Sequence, residues 1–196
     1  MLTAKLVTEE SELEQIAQLS AANLSANISP ETKAKEGFVT WVYPQETLYA
    51  LHVLVPSVIV MDGDKLAGYA ITLTKECVTI YPPLAGTVDY VSTVDYKGRP
   101  LIDYPVYFMG QICVDKDYRG QGVVEMLYEY HRKQFSPQYS ILITEISTKN
   151  PRSSKAHEKV GFKVIDTHHE NDEEWDLVVW DWTYPATGAT TGTDVA

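Results

Sequence analysis

Apolar residues recur at helical spacing close to the start of the chain. Thr8 and the glutamates after it are typical of a helix start, because threonine caps a first turn and acids favour its positive end. The positions that then share one helical face are Leu13, Ile16, Ala17, Ser20 and Leu24. Pro30 and Pro44 suit the first turns of two further helices, over residues 29–41 and 45–54.

Strand patterns follow these helices. Two apolar runs on either side of Asp62-Gly63 predict a β-hairpin over residues 57–74, since Asp-Gly fits a tight turn between antiparallel strands. Residues 76–104 mix prolines, glycines and aromatic residues without a clear period. They predict a long excursion with one hairpin around Tyr96–Arg99.

The second half of the chain alternates strands with helices. We predict strands over residues 106–114 and 139–147, followed by helices over residues 119–135 and 150–161, respectively. A terminal hairpin over residues 162–184 crosses an acidic loop. This order predicts an α/β or α+β fold with a sheet of mixed direction.

Composition places the chain among ordinary globular proteins. It has 196 residues, of which 44% are hydrophobic and 22% charged. We assign residues 1–184 to one domain and expect the small, polar residues 185–196 to form a flexible tail. Because no run approaches eighteen apolar residues and no apolar leader opens the chain, we expect a cytoplasmic protein without membrane contact. Cys77 and Cys113 form neither a CxxC motif nor a disulfide framework.

Charge is unevenly distributed. The net charge of −11 argues against general nucleic-acid binding, which needs a positive face. Residues 116–163 nevertheless carry nine basic and five acidic side chains, whereas the rest of the chain has a net charge of −15. The positive segment indicates either one local anion site or an ordinary solvated helix surface.

A glycine-rich turn in this segment favours the anion site. Gly120 and Gly122 stand between a predicted strand and a predicted helix, where they let the backbone turn tightly. Successive N–H groups then meet the positive end of the helix, and Arg119 can add a bidentate grip on a phosphate. The turn is neither a P-loop nor a GxGxxG motif, and a purely structural turn is the alternative.

A second motif narrows the interpretation. Residues 119–124, Arg-Gly-Gln-Gly-Val-Val, resemble the (Q/R)xxGx(G/A) signature of the GNAT superfamily of acyl-CoA N-acyltransferases, although Val124 replaces the usual Gly or Ala. Asn150, Ser153 and the run of residues 158–162, Glu-Lys-Val-Gly-Phe, are similar to the family's second signature. The resemblance covers roughly residues 1–184.

The resemblance implies a mixed, largely antiparallel central sheet, flanked by helices and splayed between parallel strands 106–114 and 139–147. It also implies acetyl-CoA as acyl donor, with backbone groups of the first strand on the pantetheine and the glycine turn on the pyrophosphate. The residues implied to bind this cosubstrate are Ile112, Cys113, Val114, Arg119, Gly120, Gln121, Gly122, Val123, Val124, Asn150 and Ser153. On the helix after Asn150, Arg152, Lys155 and Lys159 are candidates for the 3′-phosphate.

The same resemblance suggests a proton-handling pair. His157 occupies the position of the family's usual acid, a tyrosine, and Glu145 lies twelve residues earlier, where some members have a base. The alternatives are an inert buried histidine and a strand-end glutamate that is paired with a lysine. Cys113 is expected to be a packed thiol, and His168-His169 beside the acidic loop is not expected to bind a metal.

The acceptor side contains aromatic residues and acids, which favour a cationic amine, and the alternative is that the acids serve solubility alone. The aromatic residues are Trp41, Tyr43, Tyr81, Tyr90, Tyr107 and Trp175. We therefore expect acetyl transfer to a primary amine of a small molecule, peptide or protein, and a homodimer is left open. The alternatives are a non-catalytic acyl-CoA-binding module, favoured by the missing acid on strand 106–114, and an interaction protein that has lost CoA. The intact glycine turn and Asn150 argue against the latter.

Overall fold

The computed structural model describes residues 1–183, so the predicted tail lies outside the described residues. The helices in this part are α1 (Glu10–Ala22), α2 (Pro30–Glu36), α3 (Gln45–Leu54), α4 (Leu84–Thr93), α5 (Val123–Phe135) and α6 (Pro151–Val160). The strands are β1 (Leu2–Leu6), β2 (Val58–Asp62), β3 (Lys65–Leu73), β4 (Asp95–Tyr96), β5 (Arg99–Pro100), β6 (Val106–Val114), β7 (Ile141–Ser147), β8 (Lys163–Glu170) and β9 (Glu173–Asp181). No helix within residues 1–183 is long and apolar enough to cross a membrane.

Seven of the described strands form one sheet in the order β1-β2-β3-β6-β7-β9-β8. Every neighbouring pair is antiparallel except β6 and β7, which run parallel. The short strands β4 and β5 form the predicted hairpin around Tyr96–Arg99. The mixed, largely antiparallel sheet flanked by helices is therefore confirmed.

The parallel strands β6 and β7 part after three residue pairs. Val106–Phe108 pairs with Ile141–Ile143, and no register continues beyond it. Where the strands separate, the Thr144 hydroxyl donates to the Met109 carbonyl at 2.8 Å and replaces a main-chain bond. The predicted splay is confirmed, and it opens toward the glycine-rich turn.

Gly110 forms a bulge in β6 at this point. Its neighbours Met109 and Gln111 face Thr72 and Ile71 of β3, so Gly110 is the extra residue. A Cβ on Gly110 would lie 2.6 Å from both the Tyr43 hydroxyl and Leu73, so only glycine fits. The bulge brings bare backbone to the opening of the splay.

Helices cover both faces of the sheet. Helix α5 packs on β1, β2 and β3 through the residues that it buries, Val123, Leu127, Tyr128 and His131. Gly68 makes this approach possible, because a Cβ there would lie 2.8 Å from Val123. On the opposite face α1 contacts α3, β3 and β6, and the residues of α4 complete the core.

Three local predictions need correction. Strand β1 was not predicted, and α4 lies within the excursion where only a hairpin was expected. The helix predicted over residues 29–41 ends at Glu36, because Gly37 takes a positive φ of 73°. Thr8 does not cap α1: the Glu12 carboxylate accepts from the backbone N–H groups of Thr8 and Glu9 instead.

Candidate functional site

Two cavities meet where β6 and β7 part. The first, of about 560 Å³, lies between β6, the glycine-rich turn and α6, and we call it the basic cavity. The second, of about 770 Å³, lies under α4 and the β8–β9 turn, and we call it the aromatic cavity. A space of about 60 Å³, the junction, lies between them and shares Phe38 with both.

The basic cavity is built around the glycine-rich turn. Gly120 and Gly122 have φ values of 75° and 79°, which favour glycine, and Gly122 is the N-cap of α5. No atom lies within 4 Å of a Cβ built on either glycine, so the turn faces open space. The first N–H groups of α5, on Val123 and Val124, have no carbonyl one turn earlier. They form a cradle for an anion at the positive end of the helix.

Ten of the eleven predicted cosubstrate residues line this cavity; the exception is Gln121, whose side-chain amide donates to the Asp117 carbonyl at 2.8 Å. The basic side chains in the wall are Arg119, Arg152, Lys155 and Lys159, against the acids Glu36 and Glu125. Lys159 pairs with Glu125 across the wall. The cavity thus has the net positive charge that was expected for an anion site.

Arg119 connects the cradle to the N-terminal helices. Its guanidinium donates to the Glu36 carboxylate at 2.7 Å and to the Asn23 side-chain oxygen at 2.9 Å, while its Nε donates to the Val114 carbonyl at 3.3 Å. These partners hold all three nitrogens. Each terminal nitrogen keeps a second N–H, so two of the five guanidinium donors remain for a phosphate.

Asn150 is the N-cap of α6. Its side-chain oxygen accepts from the Ser153 N–H at 3.3 Å, and its amide donates to the Phe38 carbonyl at 3.1 Å. Asn150 thereby attaches the segment after Gly37 to α6. This segment lies over the junction, so Asn150 fixes one wall of the passage.

His157 lines the basic cavity and the junction but is deeply buried. Its Nδ1 lies 2.8 Å from the Ser153 carbonyl and its Nε2 lies 2.6 Å from the Tyr128 hydroxyl. The N–H on Nδ1 therefore donates to Ser153, and Nε2 accepts from Tyr128. Burial lowers the pKa of His157 to about 4. This environment disfavours the imidazolium that an acid role at neutral pH requires, and the role stays a prediction.

Glu145 lies in the wall of both the aromatic cavity and the junction. The Thr87 hydroxyl donates to its Oε2 at 2.8 Å, and His168 Nε2 lies 3.2 Å from its Oε1. Burial raises the pKa of Glu145, and the nearby Glu170 adds to the effect, whereas Thr87 and His168 counteract it. The alternative of a glutamate paired with a lysine is wrong, because its partners are a threonine and a histidine.

Four of the six aromatic residues expected on the acceptor side line the aromatic cavity: Trp41, Tyr43, Tyr81 and Trp175. Tyr90 packs against His168 instead, with ring centroids 4.1 Å apart. Tyr107 was wrongly placed: it is buried on the opposite face of the sheet against His131, Phe135 and Tyr139. Successive strand residues point to opposite faces, which separates Tyr107 from Phe108 in the cavity wall.

The remaining candidates have ordinary environments. Cys113 is buried, and burial raises the pKa of its thiol to about 12, as expected for a packed thiol. His169 lies on the surface, 3.4 Å from Glu174, and does not share the environment of His168. The acidic loop is more than a solvated turn, since Glu170, Asn171 and Glu173 line the aromatic cavity.

Comparison with known proteins identifies the family. A family model described as the acetyltransferase (GNAT) family matches residues 24–162, which is more than half of the chain. The chain belongs to the GNAT acetyltransferase family. No curated protein sequence gives a significant match to it.

Solved structures share the GNAT fold at low sequence identity. The ribosomal-protein-S18-alanine N-acetyltransferase from Escherichia coli superposes with a TM-score of 0.61 at 14% identity, covering 96% of this chain and 99% of that one. The N-acetyltransferase from Staphylococcus aureus Mu50 gives 0.60 at 14% identity, covering 93% and 99%. The NatC complex bound to Gag peptide and CoA gives 0.61 at 13% identity, covering 92% and 98%.

Two features of this GNAT site were not foreseen. Phe38 lines both cavities and the junction, and Thr87 reaches Glu145 from α4. Gly37 was a usable signal for Phe38, because a glycine that ends a helix redirects the next side chain. Thr87 carries no such signal, since it is 58 residues away from Glu145 in sequence.

Proposed function

We propose that this protein transfers an acetyl group from acetyl-CoA directly to a primary amine of a small molecule or peptide. The main support for this proposal is the arrangement of the two cavities. An open glycine cradle with basic surroundings connects, through the parting of β6 and β7, to a cavity that contains the Glu145 carboxylate. An anionic donor and an amine acceptor can therefore meet at the junction.

The residues of the basic cavity fit acetyl-CoA. The N–H groups from Gly120 to Val124 would hold the pyrophosphate, and basic residues of α6 would meet the 3′-phosphate. Beyond Phe108, β6 has lost β7 as a neighbour, so its main chain can bind the pantetheine as a strand would. Acetyl-CoA would supply the thioester, and the bare backbone of the Gly110 bulge would offer main-chain groups to its carbonyl.

Glu145 is the base in this proposal. The acceptor amine is protonated in water, and only its neutral form attacks a thioester carbonyl. A carboxylate whose pKa is raised by burial accepts a proton more readily than an exposed one. Thr87 and His168 hold its two oxygens, which fixes the direction of the remaining lone pairs.

His157 lies in the wall of the junction, where it would contact the departing thiol, but its buried, neutral ring favours solvent or the proton of the acceptor amine as the source for protonation. The two routes of protonation require different residues. Protonation by His157 needs its N–H to leave the Ser153 carbonyl, whereas protonation by the amine's own proton needs Glu145 alone.

The aromatic cavity supports a cationic amine on an apolar or aromatic body as acceptor. Glu145, Glu170 and Glu173 line it together with Lys33 and Lys149, which leaves one net negative charge. Aromatic faces and carboxylates together attract ammonium groups. Three aromatic rings form the apolar wall. The ring centroids of Trp41 and Tyr43 lie 6.3 Å apart, and those of Tyr43 and Tyr81 lie 4.9 Å apart.

The test combines calorimetry with a free-thiol assay. Acetyl-CoA binding is measured by calorimetry, and thiol release is followed with alkylamines, diamines, arylalkylamines and short peptides that carry a free N-terminus. We expect binding, and release that depends on the amine. Glu145→Gln should keep the binding and lose most of the release. Binding without release on any amine would favour the non-catalytic acyl-CoA-binding module instead.

A further inference from the structure

The Glu145 carboxylate is held by two side chains from separate elements. Thr87 on α4 donates to Oε2 at 2.8 Å, and His168 on β8 places Nε2 at 3.2 Å from Oε1. The side chains of Glu145 and His168 are each only 18% exposed. At this distance and burial the imidazole acts on the Glu145 carboxylate with little screening by water.

Tyr90 holds the His168 ring in this position. The two rings pack with centroids 4.1 Å apart, and the Tyr90 hydroxyl donates to Asp166 at 2.8 Å. The Nδ1 of His168 is buried and has no hydrogen-bond partner among residues 1–183. Nε2 is therefore the ring atom that meets a polar group, and that group is the proposed base.

We propose that His168 is a positioning residue for acetyl transfer, whose imidazole orients the Glu145 carboxylate and keeps it ionised until the acceptor ammonium delivers its proton. This inference rests on the proposed function. One proton moves from the ammonium nitrogen to a Glu145 oxygen, and the nitrogen keeps the electron pair with which it attacks the thioester. His168 touches neither reactant and acts through Glu145.

The sign of the effect follows from the charges around Glu145. A protonated His168 stabilises the carboxylate and lowers the pKa of Glu145, whereas Glu170 raises it. Thr87 is neutral and lowers the pKa by hydrogen bonding. Tyr90 and Asp166 stand behind the histidine. Removing the imidazole should therefore move the ionisation of Glu145 to higher pH.

The test compares His168→Gln with His169→Gln. Glutamine keeps an amide near the Nε2 position but does not titrate. His169 is the matched control, because it neighbours His168 and its side chain is 76% exposed beside Glu174. We expect the acid limb of kcat/KM in His168→Gln to move up by about one pH unit, which is about a tenfold loss at pH values below the limb. His169→Gln should leave the limb in place.

A second readout does not need turnover. The carboxyl carbon of Glu145 is titrated by NMR in wild type, His168→Gln and Thr87→Val, with Thr87→Ser as the conservative control. We expect the midpoint to rise in the first two variants and to stay close to wild type in Thr87→Ser. If no amine is acetylated but the Glu145 midpoint still rises, the proposed function is wrong, whereas the effect of His168 on Glu145 is confirmed.

The proposal is overturned by an unmoved midpoint in a folded His168→Gln protein. It is equally overturned if His168→Gln lowers kcat/KM by the same factor at every pH, since a merely structural histidine gives that result. Acetyl-CoA affinity measured by calorimetry verifies the fold of each variant, because His168 lies outside the basic cavity. If His168→Gln does not fold, Thr87→Val and His168→Asn carry the same test.

Discussion

Gly120 shows how much a single residue contributes to the candidate site. Its positive φ, and the empty space in front of it, leave room for an anion at the start of α5. The glycine pattern alone predicted this cradle, because the residues that form it are contiguous in sequence. By contrast, Thr87, Glu145 and His168 converge from three distant elements, and no short-range pattern brings a histidine from an acidic loop region to a buried glutamate.

At Gly120 we predict a specific loss of cosubstrate. Gly120→Val should weaken acetyl-CoA binding by about tenfold or more, about 1.4 kcal/mol, because the side chain enters the cradle. Gly98→Val is the control: Gly98 has a φ of 88° and equally open space, but it lies in the distant β4–β5 hairpin. Both variants should lose similar stability from backbone strain. Calorimetry that shows equal acetyl-CoA affinity for both would remove the cradle from the mechanism.

At His157 the expected loss is in stability. His157→Phe deprives the buried Tyr128 hydroxyl of its acceptor, which should destabilise the protein by about 1–3 kcal/mol. Because burial keeps the imidazole neutral, we expect kcat to stay within a few-fold of wild type. Urea denaturation and steady-state kinetics measure the two effects. A large fall in kcat with unchanged stability and acetyl-CoA affinity would restore the acid role.

At the scale of elements, the excursion between β3 and β6 departs furthest from prediction. These strands are antiparallel neighbours that a short turn can join, yet residues 74–105 intervene and build α4 against the aromatic cavity. Helix α4 contains Gly86 and several β-branched residues, so its propensity is low. Burial of Leu84 and Val91 in the core compensates, and that tertiary contribution is invisible in a local pattern.

Helix α2 and the glycine-rich turn are joined by Glu36 and Arg119. Glu36 lines the basic cavity beside Arg119, so its negative charge opposes a phosphate held there. Glu36→Gln should then tighten acetyl-CoA binding several-fold at low salt, and added salt should reduce the gain. Glu31→Gln, an exposed change in the first turn of the same helix, controls for net charge. Equal acetyl-CoA affinities for the two variants in calorimetry would indicate that Arg119 only connects the glycine-rich turn to α2 and does not bind the phosphate.

At the scale of the whole molecule, the order of elements was sufficient to predict a mixed sheet, and the two motifs located its splay. The edge strand β1 was missed although its apolar and polar residues alternate, because five residues give only a short pattern. The face of the sheet to which each residue of β6 points could also be determined only from the structure. The bulge at Gly110 shifts the alternation along the strand, which a period of two cannot anticipate.

Two buried histidines make global stability sensitive to acid. Burial lowers the pKa of His131 to about 3 and that of His157 to about 4, below the usual value near 6.5. The unfolded chain therefore binds protons first, so stability is complete above about pH 6.5 and falls as the pH decreases. At pH 4 each histidine lowers the free energy of unfolding by on the order of 3 kcal/mol relative to its value above pH 6.5.

Urea denaturation between pH 4.5 and 6.5 measures this slope. His131→Leu should flatten it, because one of the two groups no longer takes up a proton on unfolding. His169→Gln, which changes an exposed histidine, should leave the slope as in wild type. An unchanged slope in His131→Leu would mean that His131 is protonated in the folded protein.

The parting of β6 and β7 has a consequence for amide hydrogen exchange. Along residues 111–114, beyond the bulge, every second N–H points away from β3 toward the place that β7 has left. Without a neighbouring strand these amides exchange with deuterium quickly, while the alternate amides, bonded to β3, exchange slowly. A bound pantetheine would take the place of the missing strand and slow the fast set alone. Residue-resolved exchange with and without acetyl-CoA would thus record the ligand as an every-other-residue footprint, whereas uniform protection along the strand would indicate only a general stabilisation of the fold.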